Sequence, residues 1–229
     1  MCILGTAYKT DVIMDFIPDW IKNNPKGEMT IFDPHAAIIQ KYDNVKYSID
    51  PDKDFKWVDY LLEKYKDKRE IPKLLVLNGG DKFFPRPKET TRFHPVLGEI
   101  KFKPRPMCHK KFQDLLCMKL VLNMDIIITF QTPDAIPITV ERFVNNFIIL
   151  PILEEYQLDR NSPYYQNMDT CIRTINYYHK HYSKNPSKEY LNMSTERNEI
   201  IAIDEIDKKK FNKTIKKFKS IKKRVSIEM

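Results

Sequence analysis

The sequence predicts an α/β fold in which a Rossmann-like, mostly parallel sheet is flanked by helices and followed by a basic C-terminal helix. Three observations carry this expectation. Short apolar runs that stop abruptly at Gly5, Asp33 and Asn78 have the length of buried strands. The segments between them repeat their apolar residues with helical spacing. From Lys208 to Arg224 the chain holds ten basic residues and no acid, arranged around a single apolar stripe.

Residues 2–5 are the first strand, closed by glycine. Val12, Ile13, Phe16, Ile17, Trp20 and Ile21 share one face of a helix over 11–23. Pro18 would bend or interrupt that helix, because it brings no N–H. Asn23 to Gly27 makes a turn. Met29 to Phe32 is a second strand, ended by Asp33-Pro34. A short helix over 36–42 and a third strand over 45–49 follow. Phe55, Val58, Leu61, Leu62 and Tyr65 return to helical spacing, and Lys73 to Leu77 is a fourth strand closed by Asn78-Gly79-Gly80. Strands alternating with helices imply parallel pairing through right-handed crossovers.

Pro85, Pro87, Pro95, Pro104 and Pro106 break up residues 83–106, which read as a long basic surface loop. A helix over 109–123, a strand over 125–130, a helix over 139–147 and a strand within 147–153 come next. Tyr164 to Tyr182 carry one late helix or a helical hairpin. Residues 1–183 are thus expected to form the α/β domain, 184–205 a polar linker, and 206–229 a basic amphipathic tail stabilised by Phe211, Ile215, Phe218, Ile221 and Val225 on one side.

Composition narrows the classes. At 229 residues and 42% hydrophobic, the chain can bury a sizeable core. Only 5 glycines are present, so glycine-rich phosphate loops are scarce. The abundance of Lys, Asn, Ile and Tyr is the bias of an AT-rich genome, such as that of a large DNA virus or a parasite. No run of 18 apolar residues exists to span a bilayer, and the N-terminus lacks the charged and apolar regions of a secretory signal. Cys2, Cys108, Cys117 and Cys171 are scattered, as reduced thiols of a cytoplasmic or nuclear protein would be. Cys108-His109 with Cys117 falls short of the four ligands of a zinc site, so no metal is expected. Subtracting the ten charges of 208–224 from the net +8 leaves the rest of the chain at −2.

Ligands of open parallel sheets sit beyond the carboxyl ends of the strands. Three loops belong to that edge: Gly5-Thr6-Ala7-Tyr8-Lys9-Thr10, Asp33-Pro34-His35, and Asn78-Gly79-Gly80-Asp81-Lys82. Gly5, Thr6, Asp33, Asn78 and Gly79 are the candidate cofactor-binding residues. An acid closing the second strand is placed to accept bonds from ribose hydroxyls, and Asp33 is there; the beginning of an ordinary turn accounts for it equally well. The first loop lacks the second and third glycines of a dinucleotide fingerprint, with Tyr8 and Lys9 where small residues belong. No P-loop, GxSxG or HExxH pattern is found. His35 has no partner in sequence. Asp81 is the weak candidate for a catalytic acid, or a solvated charge beside Lys82.

The run from Ile3 to Thr10, the strand ending Ile31-Phe32-Asp33 and the strand Leu74 to Leu77 resemble motifs of S-adenosylmethionine-dependent methyltransferases. In order and rough spacing, from residue 2 to about 160, the chain is similar to the poxvirus cap-specific 2′-O-methyltransferases that double as poly(A) polymerase regulatory subunits. The resemblance implies a site for S-adenosylmethionine and a Lys–Asp–Lys–Glu catalytic set. Only Asp81 could supply its first acid and Glu154 or Glu155 its last. The first lysine would lie before Met1, and Ile126 to Thr129 hold no second one. What is implied is a degraded enzyme acting as an RNA-binding or RNA-processing accessory subunit. The alternatives are an active cap methyltransferase using Asp33 and Asp81, and a non-enzymatic structural or host-interaction protein. Leu4 to Lys9 with Phe32 to His35 also resemble the UDP-binding domain of UDP-sugar dehydrogenases.

Two basic segments are expected to contact RNA or another polyanion, since Lys and Arg neutralise phosphates. One contains Arg86, Lys88, Arg92, Lys101, Lys103 and Arg105, interleaved with Phe84, Phe93 and Phe102 that could stack on bases or pack inward. The other contains Lys209, Lys213, Lys216 and Lys217. An anionic membrane surface and a partner protein rank behind nucleic acid for the helical tail.

Overall fold

The computed structural model describes residues 1–34, 38, 45–48, 54–102, 104–158, 162, 164–197, 199–202 and 206–225. The predicted fold class is what it shows: a mixed α/β arrangement with a mostly parallel central sheet between helices. The elements are β1 (Cys2–Leu4), α1 (Lys9–Asn23), β2 (Glu28–Phe32), β3 (Val45–Ser48), α2 (Lys56–Tyr65), β4 (Lys73–Leu77), the one-turn α3 (Gly80–Phe83), β5 (Thr90–His94), β6 (Gly98–Phe102), α4 (Lys110–Met118), β7 (Met124–Phe130), α5 (Ile138–Arg142), β8 (Asn146–Ile149), α6 (Tyr165–Tyr182), β9 (Leu191–Ser194), β10 (Glu199–Ala202) and α7 (Lys208–Val225). The short helix expected over 36–42, His35 and Lys103 lie outside the described residues, apart from Ile38.

Eight strands form one sheet in the order β10-β9-β8-β1-β7-β4-β2-β3. The strands from β8 to β3 in that order run parallel, while β9 and β10 add antiparallel to the edge. Alternation along each strand divides the core in two. Ile3, Leu74, Val76 and Ile127 face α1, which buries Val12, Ile13, Ile17 and Trp20 against them. Cys2, Leu4, Leu75, Leu77, Ile126, Ile128 and Phe130 face the other way, toward α2, α4, α6 and α7. Pro18 does not end α1: it stands on the exposed side and the helix continues through it to Asn23.

Two expectations are corrected. Residues 83–106 are not a loop throughout: β5 and β6 pair as an antiparallel hairpin. Their strands are free of proline, because Pro95 falls in the turn and the other prolines lie outside. Residues 184–205 are not merely linker, since Leu191 and Met193 of β9 are buried in the core. Polar neighbours on the opposite face, Asn192 and Ser194, hid this strand. The basic tail is docked through its stripe: Phe211 and Ile215 of α7 are buried in the main core cluster.

At the opposite edge of the sheet from the strands' carboxyl ends, Lys73 is 1% exposed. Its ammonium donates to the carbonyls of Lys68 at 2.6 Å, Ile71 at 2.5 Å and Leu122 at 2.8 Å, and it lies over the Tyr65 ring. Desolvation pushes its pKa below the usual lysine value. We expect Lys73→Met to cost about 2 kcal/mol, because it leaves carbonyls unpaired where water enters poorly. The urea midpoint measures it; a loss under about 0.5 kcal/mol would mean that the carbonyls find other partners.

Candidate functional site

Parallel register brings the carboxyl ends of β1, β7 and β4 together. Leu4 pairs with Phe130, and Ile128 with Leu77. The loops that leave these three ends line a cleft of about 670 Å³, walled by Thr6, Ala7, Tyr8, Lys9, Thr10, Asn78, Gly79, Asp81, Lys82 and Gln131. Thr6, Asn78, Gly79 and Asp81 were candidates from sequence. Lys9, Thr10 and Gln131 were not.

The first loop is drawn tight. Gly5 N–H donates to the Phe130 carbonyl and Thr6 N–H to that of Pro151, and the Thr6 hydroxyl accepts from Leu153 N–H at 2.9 Å. A β-carbon on Gly5 would stand 2.6 Å from that of Leu150, so nothing larger than glycine fits there. Tyr8 then takes a left-handed φ of 64°, and α1 begins without a side-chain cap. Its first N–H groups have no partner one turn earlier in the helix and carry the positive end of the helix dipole toward the cleft. Lys9 folds back onto the Gly5 carbonyl. Burial pushes its pKa down, and the carboxylates of Asp81 and Glu154 oppose that shift. This is a compact cationic cradle suited to an anion.

Behind the cradle a closed network fixes Asn78. Its amide nitrogen donates to Asp33 Oδ1 at 3.0 Å and reaches Thr10 Oγ1 at 3.4 Å. Its oxygen accepts from the Thr129 hydroxyl at 3.1 Å, which in turn accepts from Gly79 N–H at 2.8 Å. Gly79 holds a φ of 91°, a conformation that glycine takes without strain. Asp33 Oδ2 accepts from Ile38 N–H at 2.7 Å. Asp33 is 1% exposed and does not line the cleft. Its carboxylate accepts from the backbone and from Asn78, which agrees with the turn reading that the sequence left open beside a ribose contact.

Asp81 is the one carboxylate among the cleft's wall residues. Burial raises its pKa, against the bond from Gln131 N–H and the charges of Arg86 and Lys9. The basic residues of the second loop divide. Arg86 pairs with Asp134 at 2.9 Å, and Arg105 with Glu141 at 2.7 Å and the Ile136 carbonyl. Both are engaged with the fold, not displayed for phosphates. Lys88 and Lys101 are exposed, and Arg92 lies on β5. Of the aromatic residues, Phe84 packs inward on Phe55, Phe112 and Phe130, while Phe93 is exposed. Cys108 and His109 serve packing: burial pushes the Cys108 thiol up to about 12, and His109 caps α4 and stacks on Phe55.

No family model matches the chain, and no curated protein matches its sequence. Solved structures do. The genome packaging NTPase B204 from Sulfolobus turreted icosahedral virus 2, in complex with ATP-gammaS, is similar over 90% of this chain and 96% of its own, with a TM-score of 0.54 and 12% identity. ATPases 2 and 3 of EssC from Geobacillus thermodenitrificans are similar over 98% of this chain and 44% of theirs, at 0.52 and 13%. The pCW3 conjugation coupling protein TcpA with ATPgS covers 94% of this chain and 64% of its own, at 0.51 and 12%. At such identities the fold is what is shared.

These likenesses overturn the methyltransferase resemblance, and with it the function of an RNA-processing accessory subunit. Strand order gives the physical reason. In the dinucleotide-binding order the first strand lies beside the second; here β7 and β4 stand between β1 and β2. The same separation undoes the comparison with UDP-sugar dehydrogenases, which needs the Gly5 loop next to Asp33. No helix among the described residues is long and apolar enough to cross a membrane.

Proposed function

We propose that the cleft binds the phosphates of a nucleoside triphosphate without magnesium, and that it holds the nucleotide without turning it over. The observation that carries this is the Lys9–Thr10 pair at the uncapped start of α1, facing Asn78 at the end of β4. In a phosphate-binding loop, backbone N–H groups cradle the phosphates, a lysine reaches the β and γ groups, and the adjoining Ser/Thr hydroxyl serves the magnesium ion. Strand, loop, Lys-Thr and helix stand here in that order. The likeness to NTPases solved with ATP-gammaS supports the same assignment.

The departures set the mechanism. Gly5 to Lys9 is two residues shorter than the motif's step from its first glycine to its lysine, and Tyr8 replaces the second glycine. The left-handed turn at Tyr8 nevertheless leaves the helix N-terminus open. An acid at the carboxyl end of another strand of the sheet normally helps to hold magnesium. Asn78 occupies that place, and its network turns the NH₂ of the amide toward Thr10. A donor cannot ligate a cation, so Asn78 does not fit the place of the magnesium-holding acid. Lys9, released from the Gly5 carbonyl, and the N–H groups of α1 then hold the phosphates by themselves. Without a metal to neutralise the charge of phosphoryl transfer, hydrolysis loses its main electrostatic aid.

Calorimetric titration with ATP tests this. We expect Kd in EDTA to lie within about threefold of Kd in magnesium, a difference under 1 kcal/mol, and phosphate release to stay at background. Binding that appears only with magnesium, or steady turnover, would sink the proposal.

A further inference from the structure

We infer that α7 is a docking surface for duplex DNA, held by its phosphate backbone without regard to sequence. This is independent of the nucleotide cleft. The helix is seated on the folded domain: Phe211, Thr214 and Ile215 are buried, Phe218 meets Tyr177 edge-on at 6.0 Å, and Tyr178 Oη accepts from Asp207 N–H at 3.0 Å. Asp207 also caps the first turn, accepting from Lys209 and Lys210 N–H. With Phe211, Ile215 and Phe218 turned onto the domain, Lys209, Lys213 and Lys216 are exposed on the outside. They recur at i, i+4 and i+7, so they share one face, with about 6 and then about 4.5 Å of rise between them. No acid interrupts 208–224.

The partner's class follows from what the face lacks. A membrane-surface helix inserts its apolar side into the lipid boundary; here Phe211 and Ile215 are already covered by the protein. A single-strand platform needs aromatic rings on which bases stack. The aromatic residues of α7 among those described are Phe211, which is buried, and Phe218, which packs on Tyr177. What remains is a straight row of ammonium groups on a rigid rod, which suits a regular array of phosphates with its bases already paired. Lysine is a point charge that binds phosphate without the planar fork needed for base edges, so sequence selectivity is not expected.

Fluorescence anisotropy with a labelled 20-base-pair random duplex, over a series of salt concentrations, tests this on the full chain. Lys209→Gln/Lys213→Gln/Lys216→Gln should weaken binding at least tenfold and lower the log–log salt slope by about 2 to 3, one ion per lost phosphate contact. A second triple variant, Lys22→Gln/Lys26→Gln/Lys110→Gln, removes the same charge from exposed sites elsewhere and should change affinity less than twofold. Equal weakening by both variants would show a bulk charge effect and overturn the inference. So would tighter binding to a 20-nucleotide single strand of DNA or RNA, or equal lysine-dependent binding to phosphatidylserine vesicles. Unchanged circular dichroism in both variants excludes unfolding as the cause.

Discussion

Replacing Asn78 by aspartate should destabilise the protein by about 3 kcal/mol at neutral pH. Asn78 Nδ2 lies 3.0 Å from Asp33 Oδ1, in a place where both residues are buried. An aspartate there would set a second carboxylate against the first in a buried place. Such a pair can ionise only once with ease, so one of its two titration steps moves far above the usual carboxylate range. The sign of the pH effect follows. A group whose folded pKa is raised contributes stability at low pH and loses it as pH rises. Asn78→Asp should therefore lie closest to the parent protein near pH 4 and fall progressively behind it toward pH 8. Chemical denaturation at those two pH values reads the difference. The exchange Asp33→Asn/Asn78→Asp should recover most of the stability, because the acid–amide pair is kept with its polarity reversed. It would also place a carboxylate beside Thr10 in a protein that keeps its stability, so ATP affinity should become magnesium-dependent in this double variant. A single Asn78→Asp variant as stable as the parent at pH 8 would mean that Asp33 is not held as described.

The second large effect is expected at Lys9. Removing its ammonium in Lys9→Ala should weaken ATP binding at least thirtyfold, about 2 kcal/mol, the scale of one charge-assisted bond in a partly buried site. Thermal stability should change little. In the free protein burial desolvates the ammonium more than the Gly5 carbonyl and the charges of Asp81 and Glu154 compensate, so its loss is not a loss of net stabilisation. A calorimetric titration paired with a melting curve separates the two cases. An affinity within threefold of the parent would place the phosphates elsewhere, and a melting temperature lower by many degrees would make Lys9 a structural residue.

Much of the fold was legible because local pattern dictates it. The strands β1, β2, β4 and β7 are short apolar runs closed by Gly5, Asp33, Asn78 and Gln131, and α1, α2 and α7 carry plain helical stripes. The order of strands was not legible. Leu74 to Leu77 and Ile126 to Phe130 are both apolar on two faces, so nothing in either run says which lies beside β1. That single ambiguity moved Asp33 from a ligand's edge to the interior and supported two comparisons that the structure does not uphold. β9 was hidden by its polar alternate residues, and the β5–β6 hairpin by prolines that flank its strands without entering them. The Lys9–Thr10 pair was visible as a lysine and a threonine opening a helix after a buried strand. The short spacing from Gly5 and the tyrosine before Lys9 obscured it, since a left-handed backbone at Tyr8 is not a conformation expected of an aromatic residue.

The seating of α7 on α6 has a practical bearing on how its charge can be studied. Shortening the chain before Lys208 would remove ten cations, but it would also strip Phe211 and Ile215 from the core and take Phe218 from Tyr177. A shortened protein that aggregated or lost affinity would then report a wounded interior as much as a missing charge. The electrostatics of this helix must be dissected one side chain at a time, with the rod itself left in place.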